Sequence, residues 1–431
     1  MGEAKRLKGF DLSAIFRFVS RPMPVSAPAI LYQRRDFAFF TSGRFLSTVA
    51  MQIQSVAIGW QIYSLTNSAF ALGLVGLCQF APMFLLTLPA GDISDRFDQR
   101  KVLAAAMTVQ ALASALFLAL TLCGVAVIWP FYSVLVLFGA ARGFSGPAGQ
   151  SLVAFLVPEE KLARSIALSS SVFTTAVIAG PALGGFLYAF GAFATYSVCC
   201  FCFLFAAILT ATLGGRRRTE SVSEGTRLER VAEGVRFVRS RPVILGAISL
   251  DLFAVLLGGA VAPLPIYARD ILHTGPIGLG FLRAAPAVGA ALVALTLARF
   301  PIERRTGMVM FSSVAVFGVA TIVFGLSKSF PLSLAALFVL GASDMISVFI
   351  RSTLIQFATP DMMRGRVSAV NMLFIGASNE LGEFESGFTA AWFGVVPAVI
   401  IGGIGTLMVV GVWMKLFPRL RDVDRLREVK A

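Results

Sequence analysis

The sequence predicts an all-α integral membrane protein of twelve transmembrane helices in two pseudo-symmetric six-helix bundles, with both termini cytoplasmic. Three observations carry this. Hydrophobic residues make up 57% of the chain and charged residues only 14%, which excludes an ordinary soluble domain. The apolar residues gather in twelve continuous stretches, each near the roughly 20 residues that cross a bilayer as a helix. Finally, 31 of the 37 basic residues fall in the terminal tails and in every second loop, while the intervening loops hold only Arg269 and Lys328. Short cytoplasmic loops retain positive charge, so this alternation sets the orientation.

In order, the expected spans are Phe37–Leu65, Phe70–Gly91, Val102–Val125, Phe131–Leu152, Ser165–Phe190 and Ala192–Leu213, then Val243–Ile266, Ile277–Phe300, Gly307–Leu326, Pro331–Phe357, Val367–Trp392 and Val395–Met414. The runs are continuous rather than alternating, which favours helices over a membrane barrel. Trp60, Trp129, Trp392 and Trp413 fall at or near span ends, where an amphipathic ring prefers the interface. Residues 1–35 read as a cytoplasmic tail, 36–213 as the first bundle, 214–242 as a cytoplasmic linker, 243–416 as the second bundle and 417–431 as a second tail. No cleavable signal peptide is expected, and Gly9–Val19 has the spacing of a short amphipathic helix. The linker opens with Arg216-Arg217-Arg218 and then places Leu228, Val231, Val235 and Val238 on one helical face.

The two bundles read as repeats. A shift of 202 residues aligns Pro158 with Pro360, Gly180 with Gly382 and Gly185 with Gly387; a shift of 204 aligns Gly76 with Gly280 and Pro82 with Pro286. Internal repeats of this kind build the two moving halves of many secondary transporters.

Composition and motifs narrow the function. The net charge of +14 is accounted for by flanks facing anionic lipid, and no basic stretch interleaved with aromatics suggests nucleic acid. The five cysteines, Cys78, Cys123, Cys199, Cys200 and Cys202, all lie within spans and read as packing residues. His273 is the only histidine, and the chain has no Gly-Lys pair and so no phosphate-binding loop. No enzyme activity, metal or cofactor is expected, and the protein should act as a monomer on a small-molecule substrate and protons in the bacterial inner membrane.

Ionisable residues inside spans cost at least a few kcal/mol on insertion scales and call for a role. They are Arg44, Arg142, Asp251, Arg283, Asp344, Arg351, Glu380, Glu383 and Glu385. Arg44, Arg142, Arg283 and Arg351 are candidates for the substrate cavity; Asp344, Glu380, Glu383 and Asp251 for proton coupling. Arg142 and Asp344 align at the 202 shift and sit at mid-depth, so they should face each other and pair as the cavity closes. A static ion pair is the competing reading. Glu380 and Glu383 share a helix face, and close carboxylates repel, so one should hold a proton; the alternative is that Arg283 or Arg351 neutralises them.

The loop after span 2, GDISDRFDQRK (Gly91 to Lys101), and span 5, AVIAGPALGG (Ala176 to Gly185), resemble two signatures of the major facilitator superfamily. Arg142 followed by Gly146 resembles a third, and TPDMMRGRVSAV with NELGEFESG resembles its exporter branch, which includes enterobactin and macrolide exporters. The resemblance implies a cytoplasmic gate of Gly91, Asp95, Arg96 and Arg100 meeting the start of span 11 near Arg366. It also implies an export-favouring motif at Gly180, Pro181, Gly184 and Gly185. Asp98 replaces the usual glycine of the first motif, which puts that turn in question. Together these readings lead to proton-coupled export of a small amphiphile, siderophore or drug-like, by alternating access. The alternatives are an uncoupled facilitator or importer of the same fold and a lipid flippase.

Overall fold

The structure, a computed structural model, describes residues 27–157, 159–214 and 227–425. The expected tail helix at Gly9–Val19 and the Arg216–Arg218 run lie outside the described residues. Among the described residues every regular element is a helix: α1 (Ala27–Thr66), α2 (Ala69–Arg96), α3 (Gln99–Leu122), α4 (Trp129–Leu156), α5 (Glu159–Ala189) and α6 (Ala192–Ala211). After a linker helix (Arg227–Ser240) come α7 (Pro242–Gly258), α8 (Gly275–Arg299), α9 (Thr306–Leu326), α10 (Phe330–Ala358), α11 (Asp361–Phe393) and α12 (Val395–Leu416). Eight of these, α2, α3, α5, α6, α8, α9, α10 and α12, each contain a stretch long and apolar enough to cross a membrane. The other four carry Arg44, Arg142, Asp251 and the three glutamates of α11, and α7 is only 17 residues long.

Two boundaries differ from expectation. Helix α2 runs on to Arg96, so Gly91 to Arg96 is helical and the turn is confined to Phe97 and Asp98. There Asp98 caps α3, its carboxylate accepting from the Arg100 amide. The seventh stretch is broken: α7 stops at Gly258, and a short helix (Leu264–Ile266) and a wide π-turn (Tyr267–Ile271) follow. Pro263 and Pro265 lack the amides that would continue α7. The linker helix meets α7 at a bend of 107°.

Two apolar cores follow the chain. Phe117, Phe131, Tyr196 and Phe203, with Ile53 and Ile58, fill the centre of α1–α6. Phe311, Ile350, Leu354, Val367 and Val410 fill the centre of α7–α12, with Val238 of the linker helix packed onto them. Two helix pairs make most of the contact between these groups, α5 with α8 and α2 with α11, and α1 adds a smaller contact with α8.

The joining contacts follow the repeat. A Cβ built on Gly185 would lie 2.9 Å from Gly280 Cα, and one built on Gly76 would lie 3.1 Å from Glu383 Cβ and 3.3 Å from the Glu380 carbonyl; Gly387 abuts Gly73, one turn from Gly76. Gly185 aligns with Gly387, and Gly280 with Gly76, so the two junctions are copies of one another. Small residues here let backbones approach closely, which is how helices associate in lipid. All four glycines lie toward the ends remote from the linker. Toward the linker end, Gly146 and Gly149 of α4 and Gly365 and Gly376 of α11 face open space.

Candidate functional site

The site lies where α1, α2 and α4 meet α8 and α11. Arg142, thirteen residues into α4, donates to Glu380 of α11 at 3.1 Å and to Gln79 of α2 at 3.4 Å. Glu383, about one turn along α11, lies over Gly76 of α2, among the charges of Glu380, Arg142 and Arg283. Arg283 of α8 donates to Ser55 Oγ of α1 at 2.5 Å. Two arginines and two glutamates therefore meet across the junction, one arginine in each group of helices, and their charges balance.

A second cluster lies wholly within α7–α12. Arg351 of α10 pairs with Asp251 of α7, and both are buried, at 1% and 5% exposure. Asp344, about two turns before Arg351, lies within reach of both charges. Two acids against one arginine leave one negative charge in excess, which a proton would neutralise.

These positions correct two expectations. In this structure Arg142 pairs with Glu380, while Asp344, expected to pair with Arg142 on closure, sits with Arg351 and Asp251. Arg351 was expected on the substrate cavity and is buried instead, held there by Asp251. Glu385 is turned aside and accepts from Thr389 at 2.7 Å.

Beyond this layer the junction closes toward the ends remote from the linker. The Tyr63 hydroxyl donates to Asp270, and Arg269 donates to Asn67 at 3.0 Å. Arg269 also lies over the Tyr63 ring, 5.4 Å from its centroid. Sequence reasoning missed Tyr63, Asn67, Ser55 and Gln79; the signal for Gln79 was an amide inside an apolar run. His273 is exposed, its ring nitrogen 3.1 Å from the Arg269 carbonyl, and joins no site.

The expected gate residues divide. The side chains of Asp95 and Arg96 lie outside the described residues. Gly91 is buried. Arg100 is not between the helix groups: it pairs with Asp98 at 2.6 Å and donates to the Leu213 carbonyl, tying α3 to the end of α6. Burial alone would raise the Asp98 carboxyl, but the hydrogen bonds and charge of Arg100 outweigh it and hold the group below its ordinary value. Arg366 pairs with Glu233 of the linker helix at 2.6 Å. Gly234 lets that helix lie on α11, since a Cβ there would fall 2.8 Å from the Arg366 carbonyl. In the span-5 motif, Gly180 and Gly184 lie against Gln52 and Ile53 of α1, and Gly185 against α8; Pro181, whose carbonyl also faces Gly280, sits within α5.

The family model described as transmembrane secretion effector matches residues 28–430. The chain belongs to that family of major facilitator transporters. Enterobactin exporters EntS from Shigella dysenteriae serotype 1 (strain Sd197) and Escherichia coli O1:K1 / APEC are each 25% identical over 379 residues, covering 85% of this chain and 84% of theirs. Among solved structures, a bacterial homologue of the human lysosomal transporter Spinster, inward-facing and occupied, superposes with a TM-score of 0.71 at 14% identity, covering 91% of this chain and 97% of that one. A POT family transporter in complex with 5-aminolevulinic acid gives 0.71 at 11% identity, covering 90% and 96%. These structures share the fold of this transporter, which is a multi-pass membrane protein and not an enzyme.

Proposed function

We propose that the protein is a proton-coupled exporter of a small amphiphilic molecule in the bacterial inner membrane, crossing it twelve times with both termini in the cytoplasm. The observation that carries this reading is the Arg142–Glu380 ion pair at mid-depth, a contact that rocking of one bundle against the other must break. The 25% identity to enterobactin exporters supports an export direction and an amphiphilic substrate class. The closed end at Tyr63, Asp270, Arg269 and Asn67 and the open space beside Gly146 and Gly376 correspond to one half of an alternating-access cycle, open on the linker side.

In this reading each charge cluster has its own part. The Arg142–Glu380 ion pair and the Arg283–Ser55 hydrogen bond hold the bundles together and must be re-formed on each cycle. The cluster of Asp344, Asp251 and Arg351 carries one proton, taken up when Asp344 faces the more acidic side and released on the other. Inward movement of one proton supplies about 2.3 kcal/mol per 100 mV of membrane potential.

The test is proton movement in inside-out vesicles energised and followed with a pH-quenched dye, with siderophores, macrolides and cationic drugs added one at a time. A substrate-triggered proton efflux that is lost in Asp344→Asn and in Glu380→Gln, with both variants expressed at wild-type levels, is the expected result. Normal uphill transport in both variants would remove these residues from coupling and leave an uncoupled carrier.

A further inference from the structure

Arg44 stands apart among the arginines placed within helices. Arg142 faces Glu380, Arg351 faces Asp251, and Arg283 lies in the field of Glu383. Arg44 has no carboxylate partner among the described residues. Its guanidinium donates to Ser169 Oγ of α5 at 3.2 Å and lies over the Phe173 ring, 5.5 Å from the centroid. A guanidinium at membrane depth is costly and normally paired, so a cation left with one hydroxyl and one ring is a cation with capacity for an anion.

Its direction follows from helix geometry. Ser55 comes eleven residues after Arg44, which at 100° per residue is about three full turns plus 20°. The two therefore share a face of α1. At Ser55 that face meets Arg283 of the second bundle, and Gly59 on the same stripe packs against Pro265. Roughly 16 Å back along α1, where the bundles have parted, the same face presents Arg44 to the opening between them. Phe173 is 39% exposed, so its ring is accessible as well as stacked.

We infer that Arg44, with Ser169 and Phe173, is the recognition site for an anionic group on the transported amphiphile: a carboxylate or similar oxyanion attached to a flat apolar body. The oxyanion pairs with the guanidinium, which the buried Ser169 hydroxyl orients, and the apolar body lies along the exposed Phe173 ring. Substrate and proton are then held by different bundles, Arg44 in the first and Asp344 in the second, so they need not compete for one residue. The inference rests on reading the opening as a transport cavity, but its test uses equilibrium binding with no gradient and so does not depend on coupling.

The test compares 2-naphthoate with its neutral counterpart 2-naphthylmethanol on the purified full-length protein in phosphatidylcholine nanodiscs, by calorimetry. Naphthoate is expected to bind about tenfold tighter or more, as a charge-assisted pair should. Arg44→Gln is expected to erase that preference, Arg44→Lys to keep part of it, and Phe173→Ala to weaken both probes alike. Should Arg44→Gln fail to fold, Arg44→Lys and Phe173→Ala still decide the matter, since they separate charge from stacking. Equal affinity for the two probes in the wild type, or a preference unchanged in Arg44→Gln, would overturn the assignment. Loss of naphthoate binding in discs containing phosphatidylglycerol would assign the site to a lipid headgroup and overturn its role in substrate recognition.

Discussion

At the scale of single residues, the buried Arg351–Asp251 pair is the clearest case of mutual dependence. Each charge is tolerable only because of the other. Arg351→Met should leave Asp251 buried without a cation beside Asp344 and cost roughly 3–5 kcal/mol, read as a fall in the melting temperature of the purified protein. Asp251→Leu combined with Arg351→Met should restore much of that loss, and a double variant no better than the single would show that the pair is not the cause. Asp98 makes a smaller, calculable contribution. It caps α3 and holds Arg100, so Asp98→Ala should lower stability by about 1 kcal/mol. Its carboxyl is held below the ordinary value, so this contribution is present above the unfolded-state value and fades as pH falls through the folded one. An Asp98→Ala penalty that persists undiminished in strong acid would contradict that account. The sequence marked Asp98 only as a departure from a glycine motif. That the departure supplies a helix cap shows only once α3 is seen to begin at Gln99.

At the scale of elements, most helices were legible because continuous apolar runs have few other folds available in lipid. Two features were not. The extension of α2 through Arg96 was hidden because charged residues at a span end read as a loop, although nothing in Gly91 to Arg96 forbids a helix. The break after α7 was hidden by an apolar run that continues unchanged through Pro263 and Pro265. The pairing of Arg142 with Glu380 was hidden for another reason: the repeat identifies equivalent residues, but not which helices touch across the junction. The glycines supply that information. Gly185 of α5 meets Gly280 of α8, and Gly387 of α11 meets Gly73 of α2. Gly185→Val should therefore push α5 off α8 and loosen closure at the far end. This can be read by thiol cross-linking of an Asn67→Cys, Arg269→Cys pair, whose wild-type side chains are hydrogen-bonded at 3.0 Å, in a background lacking the native cysteines. Cross-linking should be efficient with Gly185 present and fall severalfold with valine. Equal yields would mean that the α5–α8 contact does not govern closure.

At the scale of the whole molecule, the described structure is asymmetric from end to end. The Arg142–Glu380 ion pair joins the bundles at mid-depth, and toward the end remote from the linker the Tyr63–Asp270 and Arg269–Asn67 hydrogen bonds and two glycine junctions join them. Toward the linker end, the linker helix clings to α11 through Glu233, Arg366 and Gly234, while Gly376 of the same helix, about ten residues further on, faces open space. In the orientation proposed above, from the basic residues of the tails and alternate loops, that end faces the cytoplasm. A cysteine at Gly376, in a background free of native cysteines, should therefore react with a membrane-impermeant maleimide in inside-out vesicles and remain unlabelled in right-side-out ones. Because Gly376 has no neighbour within reach of a Cβ, the substitution itself should leave the fold undisturbed. Labelling in inside-out vesicles should then fall when a substrate and a proton gradient drive the bundles through the closed half of their cycle. Labelling confined to right-side-out vesicles would invert the topology, and with it the direction in which Arg44 meets its substrate.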